Sequence, residues 1–199
     1  MACEGSSQRG LLLVISGPSG AGKTTIAHAV ERRLGGMFSV SATTRPKSEQ
    51  ESGGRDYEFL DEQEFRDLVD RGALLEYAYV YGRYWYGTPR APVERSLAEG
   101  WLVILDIDVQ GALQVKKALP EALMVFVLPP SDEELLRRLR SRGREGEDII
   151  QHRFAQAQWE VEIAGGSDAY DARIVNDDLD QAVDEVCRLV QRRRSAEGP

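Results

Sequence analysis

The sequence predicts an α/β fold: a doubly wound parallel sheet with a second, smaller unit inserted into it. Three observations point there. Uninterrupted apolar runs stand at 11–16 (LLLVIS), 101–107 (WLVILDI) and 123–128 (LMVFVL), the pattern of strands covered on both faces. Helix-length segments alternate with these runs. The polar, tyrosine-rich stretch 38–88 interrupts that alternation and reads as an inserted subdomain.

Taken in order, residues 1–9 are small and polar and read as a loose tail. Strand 11–16 runs into a glycine-rich turn. A helix is expected from Lys23 to Leu34, closed by Gly35-Gly36. Residues 38–43 (FSVSAT) alternate as a strand, and 45–56, with Pro46, Gly53 and Gly54, reads as a loop. Asp61 followed by Glu64 forms an N-cap pair for a helix ending near Gly72. Residues 74–88 suggest short strands, and a helix near 90–99 ends at Gly100. Pro129-Pro130 stops the third buried strand, after which Ser131 and Glu134 cap a charged helix to about Ser141. A helix over 147–163, a short strand at 172–175 and a last helix from about 179 to 193 complete the order, with 195–199 loose. There is no internal repeat.

Composition narrows the function. The formal net charge of -8 over 199 residues gives no bulk attraction for nucleic acid or an anionic membrane. An anion site must then be a local cluster of cations. Lysine stands only at 23, 47, 116 and 117, so most cations are arginines, suited to forked contacts with phosphate. Two cysteines (Cys3, Cys187) and two histidines (His28, His152) are too few for a disulfide framework or a zinc cluster, and read as ordinary residues of a reducing cytosol. The run Leu11–Ile15 is too short for a membrane span or signal core, so the expected location is cytoplasmic.

Residues 17–24 read GPSGAGKT and fit G-x-x-x-x-G-K-[ST]. The loop comprises Gly17, Pro18, Ser19, Gly20, Ala21, Gly22, Lys23 and Thr24, with Thr25 beside it. Its glycines let successive backbone N–H groups face an anion, and the following helix presents its positive end. Lys23 is expected to reach the β- and γ-phosphates of ATP, and the Thr24 hydroxyl to ligate Mg2+. A glycine-rich turn that merely joins strand to helix is the alternative; the flanking strand and helix favour the phosphate loop.

GPSGAGKTT, VSATTR, GGRDYEF, LLEYA, YGT, ILDIDVQG, RLRSRG and VNDDL, in this order and spacing, resemble the guanylate kinase family from about Leu11 to Leu189. The resemblance implies a P-loop NTPase-type core (10–37, 89–128 and 165–194), an inserted NMP-binding subdomain at 38–88 and a mobile helical lid at about 129–164. It implies transfer of the ATP γ-phosphate to GMP. It places Ser41, Glu76 and Thr88 at the base. Guanine offers a ring N–H and an amine side by side, and one ionised carboxylate accepts both. It places Arg45, Tyr57 and Tyr86 at the GMP phosphate, with Asp108 among the GMP-binding residues. Asp106 and Asp108 end the strand WLVILDIDVQG at the edge beside the phosphate loop, where they can order Mg2+ waters or hold the acceptor-site arginines, or else serve as strand-end caps. The resemblance gives Arg138, Arg142 and Arg153 to the transferring group and Asn176 to the adenine of ATP. The family's usual second phosphate arginine falls at Ser48, beside Lys47, so this contact is either supplied by Lys47 or missing.

Without the resemblance, Glu76 reads as a surface strand residue, the tyrosines as half-buried strand positions and the arginine run as a solvated helix face. A non-catalytic guanylate-kinase-like module that binds phosphoprotein, or a P-loop kinase for another nucleoside monophosphate, also fits parts of the pattern.

Overall fold

The computed structural model describes residues 9–48, 51–54, 57–80, 82–141 and 146–196. At its centre is β1 (Leu11–Ser16), buried at every position. It pairs in parallel with β7 (Leu102–Ile107) on one side and β8 (Leu123–Leu128) on the other. With β2 (Met37–Phe38) and β9 (Ala172–Val175) at the edges, these form a five-stranded parallel sheet in the order β2-β7-β1-β8-β9.

The strands are apolar throughout because both faces are covered. Leu11, Leu13 and Ile15 point to one layer, where α1 (Lys23–Leu34) and α7 (Leu179–Ala196) supply Ile26, Val30, Val183 and Val186. Leu12 and Val14 point to the other. There α3 (Arg90–Ala98), α4 (Val109–Ala118) and α6 (Glu147–Gly165) supply Val93, Val109, Ala112, Val115 and Ala164.

The inserted stretch builds a second sheet, order β4-β3-β6-β5, from β3 (Ser41–Thr43), β4 (Tyr57–Phe59), β5 (Leu74–Val80) and β6 (Tyr84–Pro89). Its small core joins Ala42, Leu74 and Phe65, the last on α2 (Glu62–Asp70). The expected capping box is present. Glu64 N donates to Asp61 Oδ1 and Asp61 N to Glu64 Oε2, each at 2.8 Å. On α5 (Asp132–Ser141), Glu134 N donates to Ser131 Oγ at 3.2 Å.

Several elements differ from the sequence reading. Residues 38–43 are not one strand: Phe38 pairs with Ile104 in the first sheet, whereas Ala42 pairs antiparallel with Gly87 in the second. The chain changes sheets between them. The sequence reading did not contain α4. That helix carries Gly111, a weak helix former, and exists because Asp108 caps it and its apolar side joins the core. Residues 195 and 196, expected in a loose tail, continue α7, with Ser195 Oγ bonded to Gln191 O at 2.9 Å. Arg9, placed in the other tail, makes an ion pair with Glu121. Residues 1–8, 142–145 and 197–199 lie outside the described residues. Among the described residues, no helix is long and apolar enough to cross a membrane.

Candidate active site

The phosphate loop leaves β1 at the carboxyl edge of the parallel sheet, where α/β proteins bind their ligands. At two of its glycines a side chain would meet the rest of the protein at once. Gly17 (φ 143°) has no room for a Cβ, which would lie 2.2 Å from Val127 O. Gly22 (φ 94°) would place one 2.3 Å from Asn176 Nδ2. Gly22 is also the N-cap of α1, without a side-chain cap, and the first turn holds no acidic residue. The positive end of the helix is therefore left for an anion. Lys23 Nζ folds back over the loop, donating to Gly17 O at 2.7 Å and Pro18 O at 3.2 Å. Pro18 and Ala21 are buried in the loop's underside, and Thr25 is exposed.

Asn176 sits behind the loop. The residue is 6% exposed, and its side-chain Nδ2 donates to Ala21 O at 2.7 Å. Arg138 Nη2 donates to Asn176 O at 2.9 Å and Arg138 Nε to Glu134 Oε1 at 2.7 Å. Asn176 and Arg138 thus brace the loop from its rear.

One cavity of about 270 Å³ joins the loop to the second sheet. Lys23, Ser19, Gly20, Gly22, Thr24 and Thr25 line one wall, and Ser41, Tyr57, Glu76 and Tyr86 the other. Asp106 and Asp108 lie between them, and α6 adds Arg153 and Glu160. Of the residues read from sequence, Pro18, Ala21, Arg45, Thr88, Arg138 and Asn176 do not line this cavity, and Arg142 lies outside the described residues.

Glu76 is 4% exposed, and its Oε1 accepts a hydrogen bond from the fully buried Thr88 hydroxyl at 2.6 Å. Burial pushes its carboxyl up to about 7; Thr88 opposes the shift and Asp108 adds to it. Asp108 accepts from Gly111 N at 2.8 Å through Oδ1, while Oδ2 is buried without a partner. Burial raises it too, against the pull of Gly111 N–H and Lys23. Thr24 Oγ1 donates to Asp106 Oδ2.

Arg45 is held from several sides. Nη2 and Nη1 meet Glu51 Oε1 and Oε2 at 2.6 and 3.0 Å, and Nε donates to Tyr86 OH at 3.1 Å. The guanidinium lies over the Tyr57 ring at 5.3 Å and the Phe59 ring at 5.6 Å. Hydrogen bonding to Arg45 holds Glu51 down at about 2. Burial pushes the Tyr57 hydroxyl up to about 12, keeping it a donor. Ser48, at the position of the family's usual second arginine, donates its N–H (3.0 Å) and its hydroxyl (2.8 Å) to Glu51 Oε2. Lys47 is exposed.

The sequence reading missed Glu51 and Glu160. Glu51 has no spacing signal within a polar loop. Glu160 does have one. It shares the buried stripe of α6 with Ala157 and Ala164, so an acid occupies an apolar register. It is 3% exposed, its Oε2 has no partner, and burial pushes it up to about 7 against the charge of Lys23.

A phosphate loop at the carboxyl edge of a doubly wound parallel sheet, opening on α1, defines a P-loop NTPase-type protein. The family model described as "Guanylate kinase" matches residues 9–193. The guanylate kinase of Gloeobacter violaceus is 51% identical over 180 residues, 90% of this chain and 86% of the relative. That of a Thermus thermophilus strain is 48% identical over 189 residues, 94% and 84% of the two chains. The crystal structure of guanylate kinase from Anaplasma phagocytophilum superposes with a TM-score of 0.75 at 31% identity, covering 94% of this chain and 87% of that one. The chain belongs to the guanylate kinase family, the ATP:GMP phosphotransferases.

Proposed function

We propose that the chain catalyses Mg2+-dependent transfer of the ATP γ-phosphate to GMP, giving ADP and GDP, as a cytoplasmic step of purine nucleotide metabolism. The observation that carries this reading is one cavity with a phosphate loop on one wall and a buried carboxylate, Glu76, on the other. The parts divide as core (10–37, 89–128, 165–194), GMP-binding subdomain (38–88) and lid (about 129–164).

The loop amides and Lys23 bind the ATP phosphates. Asn176 holds the loop through Ala21, and the rest of its amide meets the adenine. Glu76, with Ser41 and Thr88, receives the guanine. Tyr57, Tyr86 and Arg45 receive the GMP phosphate. Glu51 now occupies the Arg45 fork, so the GMP phosphate takes Arg45 by exchange for Glu51 or through the N–H that this pairing leaves. Arg138, Arg142 and Arg153 stabilise charge on the transferring group and help exclude water. The attacking phosphate oxygen is already ionised near neutral pH, so no general base is required, and catalysis is positioning and charge neutralisation.

The donor set fits Mg2+. A threonine hydroxyl that donates to Asp106 keeps lone pairs for a hard cation. Among the described residues, no three His, Cys, Asp or Glu form an all-protein cage, which suits an ion that keeps waters and phosphate oxygens as ligands. Thr24 would hold it directly and Asp106 through water. When bound, it neutralises phosphate charge.

ATP labelled at its γ-phosphate tests the proposal: the label should appear in GDP when GMP is supplied, and label found only in inorganic phosphate contradicts it. A pH dependence also follows. The guanine donors need the ionised form of Glu76, whose carboxyl titrates near 7 in the empty site. KM for GMP should therefore rise about tenfold per pH unit below 7. The second ionisation of the GMP phosphate titrates nearby, so the contrast with Glu76→Gln isolates the carboxylate. Equal slopes in the two proteins would contradict the assignment.

A further inference from the structure

α4 is fastened to β5 beside Glu76. Gln114 Nε2 donates to Tyr77 O at 2.8 Å and Tyr77 N donates to Gln114 Oε1 at 3.2 Å, so a side-chain amide pairs the backbone of the residue next to Glu76. One turn earlier, Asp108 caps the helix through Gly111 N–H. The Gln114 pair ties α4 to β5 beside Glu76, and the Asp108 cap fixes where the helix begins.

Gly111, whose N–H the cap binds, is buried one turn before Gln114. It is within the helix and outside the left-handed region, so its backbone does not call for glycine. Glycine there costs about 1 kcal/mol of helix propensity relative to alanine. What a side chain would meet is Glu76. A Cβ would lie 2.3 Å from Oε2, 2.9 Å from Cδ and 3.4 Å from Cγ of that one residue. The other carboxylate oxygen is taken by Thr88 at 2.6 Å. The carboxylate is thus pinned through one oxygen and accommodated at the other only because position 111 has no side chain.

We propose that Gly111 is a specificity-determining position of the acceptor site, whose missing side chain sets where the Glu76 carboxylate stands and so how it meets the guanine edge. The inference rests on the reading of Glu76 as the base-recognising group. The group displaced by a methyl at 111 is the far end of a flexible side chain, not backbone. Gly111→Ala should therefore leave the fold and the ATP side intact, break the Thr88 bond and turn the carboxylate out of place.

The test is steady-state kinetics and Tm for Gly111→Ala, Glu76→Asp, the double variant and Glu76→Gln. Gly111→Ala should raise KM for GMP about tenfold to a hundredfold, the worth of a charge-assisted hydrogen bond, with KM for ATP unchanged. In the Glu76→Asp background, where the carboxylate ends one methylene short of position 111, the same substitution should cost little. Should Gly111→Ala lower Tm, recovery of Tm in the double variant supports a clash at the carboxylate, and no recovery overturns it. An unchanged KM for GMP in Gly111→Ala, while Glu76→Gln raises it, overturns the inference alone. Equal losses in both backgrounds, or KM for ATP rising in step, also overturn it. No effect of Glu76→Gln overturns the reading beneath it.

Discussion

Lys23→Ala should lower kcat for GMP phosphorylation on the order of 10³-fold, the upper end of what one lost transition-state donor costs, with GMP binding changed far less. In the structure the ammonium rests on two neutral acceptors, Gly17 O and Pro18 O. A phosphate oxygen is a stronger acceptor than either, so the side chain is free to exchange them for ATP. Of the groups proposed to receive GMP, Ser41, Tyr57, Glu76 and Tyr86 line the same cavity from the second sheet, whereas Lys23 belongs to the phosphate loop, which is why the loss should fall on kcat. The same substitution removes the charge that opposes the upward shifts of Asp108 and Glu160. Both carboxyls should then titrate higher still, visible by NMR. A Lys23→Ala enzyme with wild-type kcat would contradict the assignment of the loop.

Glu76→Gln should cut kcat/KM for GMP by about 10²–10³-fold, since it replaces an acceptor by a donor opposite one of the two guanine N–H groups. The amide has the same shape and can still accept from Thr88, so loss of packing does not explain the effect. A stability change of opposite sign should accompany it. Burial lifts the Glu76 carboxyl from 4.5 to about 7, so the folded state disfavours the ionised form. Above about pH 7 the whole cost of the buried charge is present in the wild type, and it fades as pH falls toward 4.5. Glu76→Gln should therefore melt higher than wild type at pH 8, with the gap closing in acid. A lower Tm at pH 8 would contradict the burial argument.

The parts of this account that were legible in the sequence share a local cause. β1 and α1 keep their expected limits because an apolar run ends in a glycine turn and a helix ends in glycine. The capping box at Asp61 needs only residues three apart. The phosphate loop is contiguous and so could be read directly. What the sequence did not reveal depends on distant parts of the chain. The break between Phe38 and Ser41 follows from which strands accept each half, Ile104 in one sheet and Gly87 in the other. α4 went unread because Gly111 weakens its local signal, and the reason for that glycine is a carboxylate on β5. Arg45 was expected at the GMP phosphate, but its clamp on Glu51 needs the loop's folded path. Ser48 belongs to that clamp, which accounts for what occupies the position of the family's usual second arginine. Asn176 was expected at the adenine; that part of its amide supports the loop depends on β9 lying beside β8.

The most direct measurement is ADP formation from MgATP by the folded protein with GMP, AMP, CMP or UMP as acceptor. The account predicts rapid turnover with GMP alone, lowered on the order of 10³-fold in Lys23→Ala. Turnover with another acceptor would keep the phosphate loop and refute the base assignment to Glu76, and no turnover with any of the four would refute the catalytic reading itself.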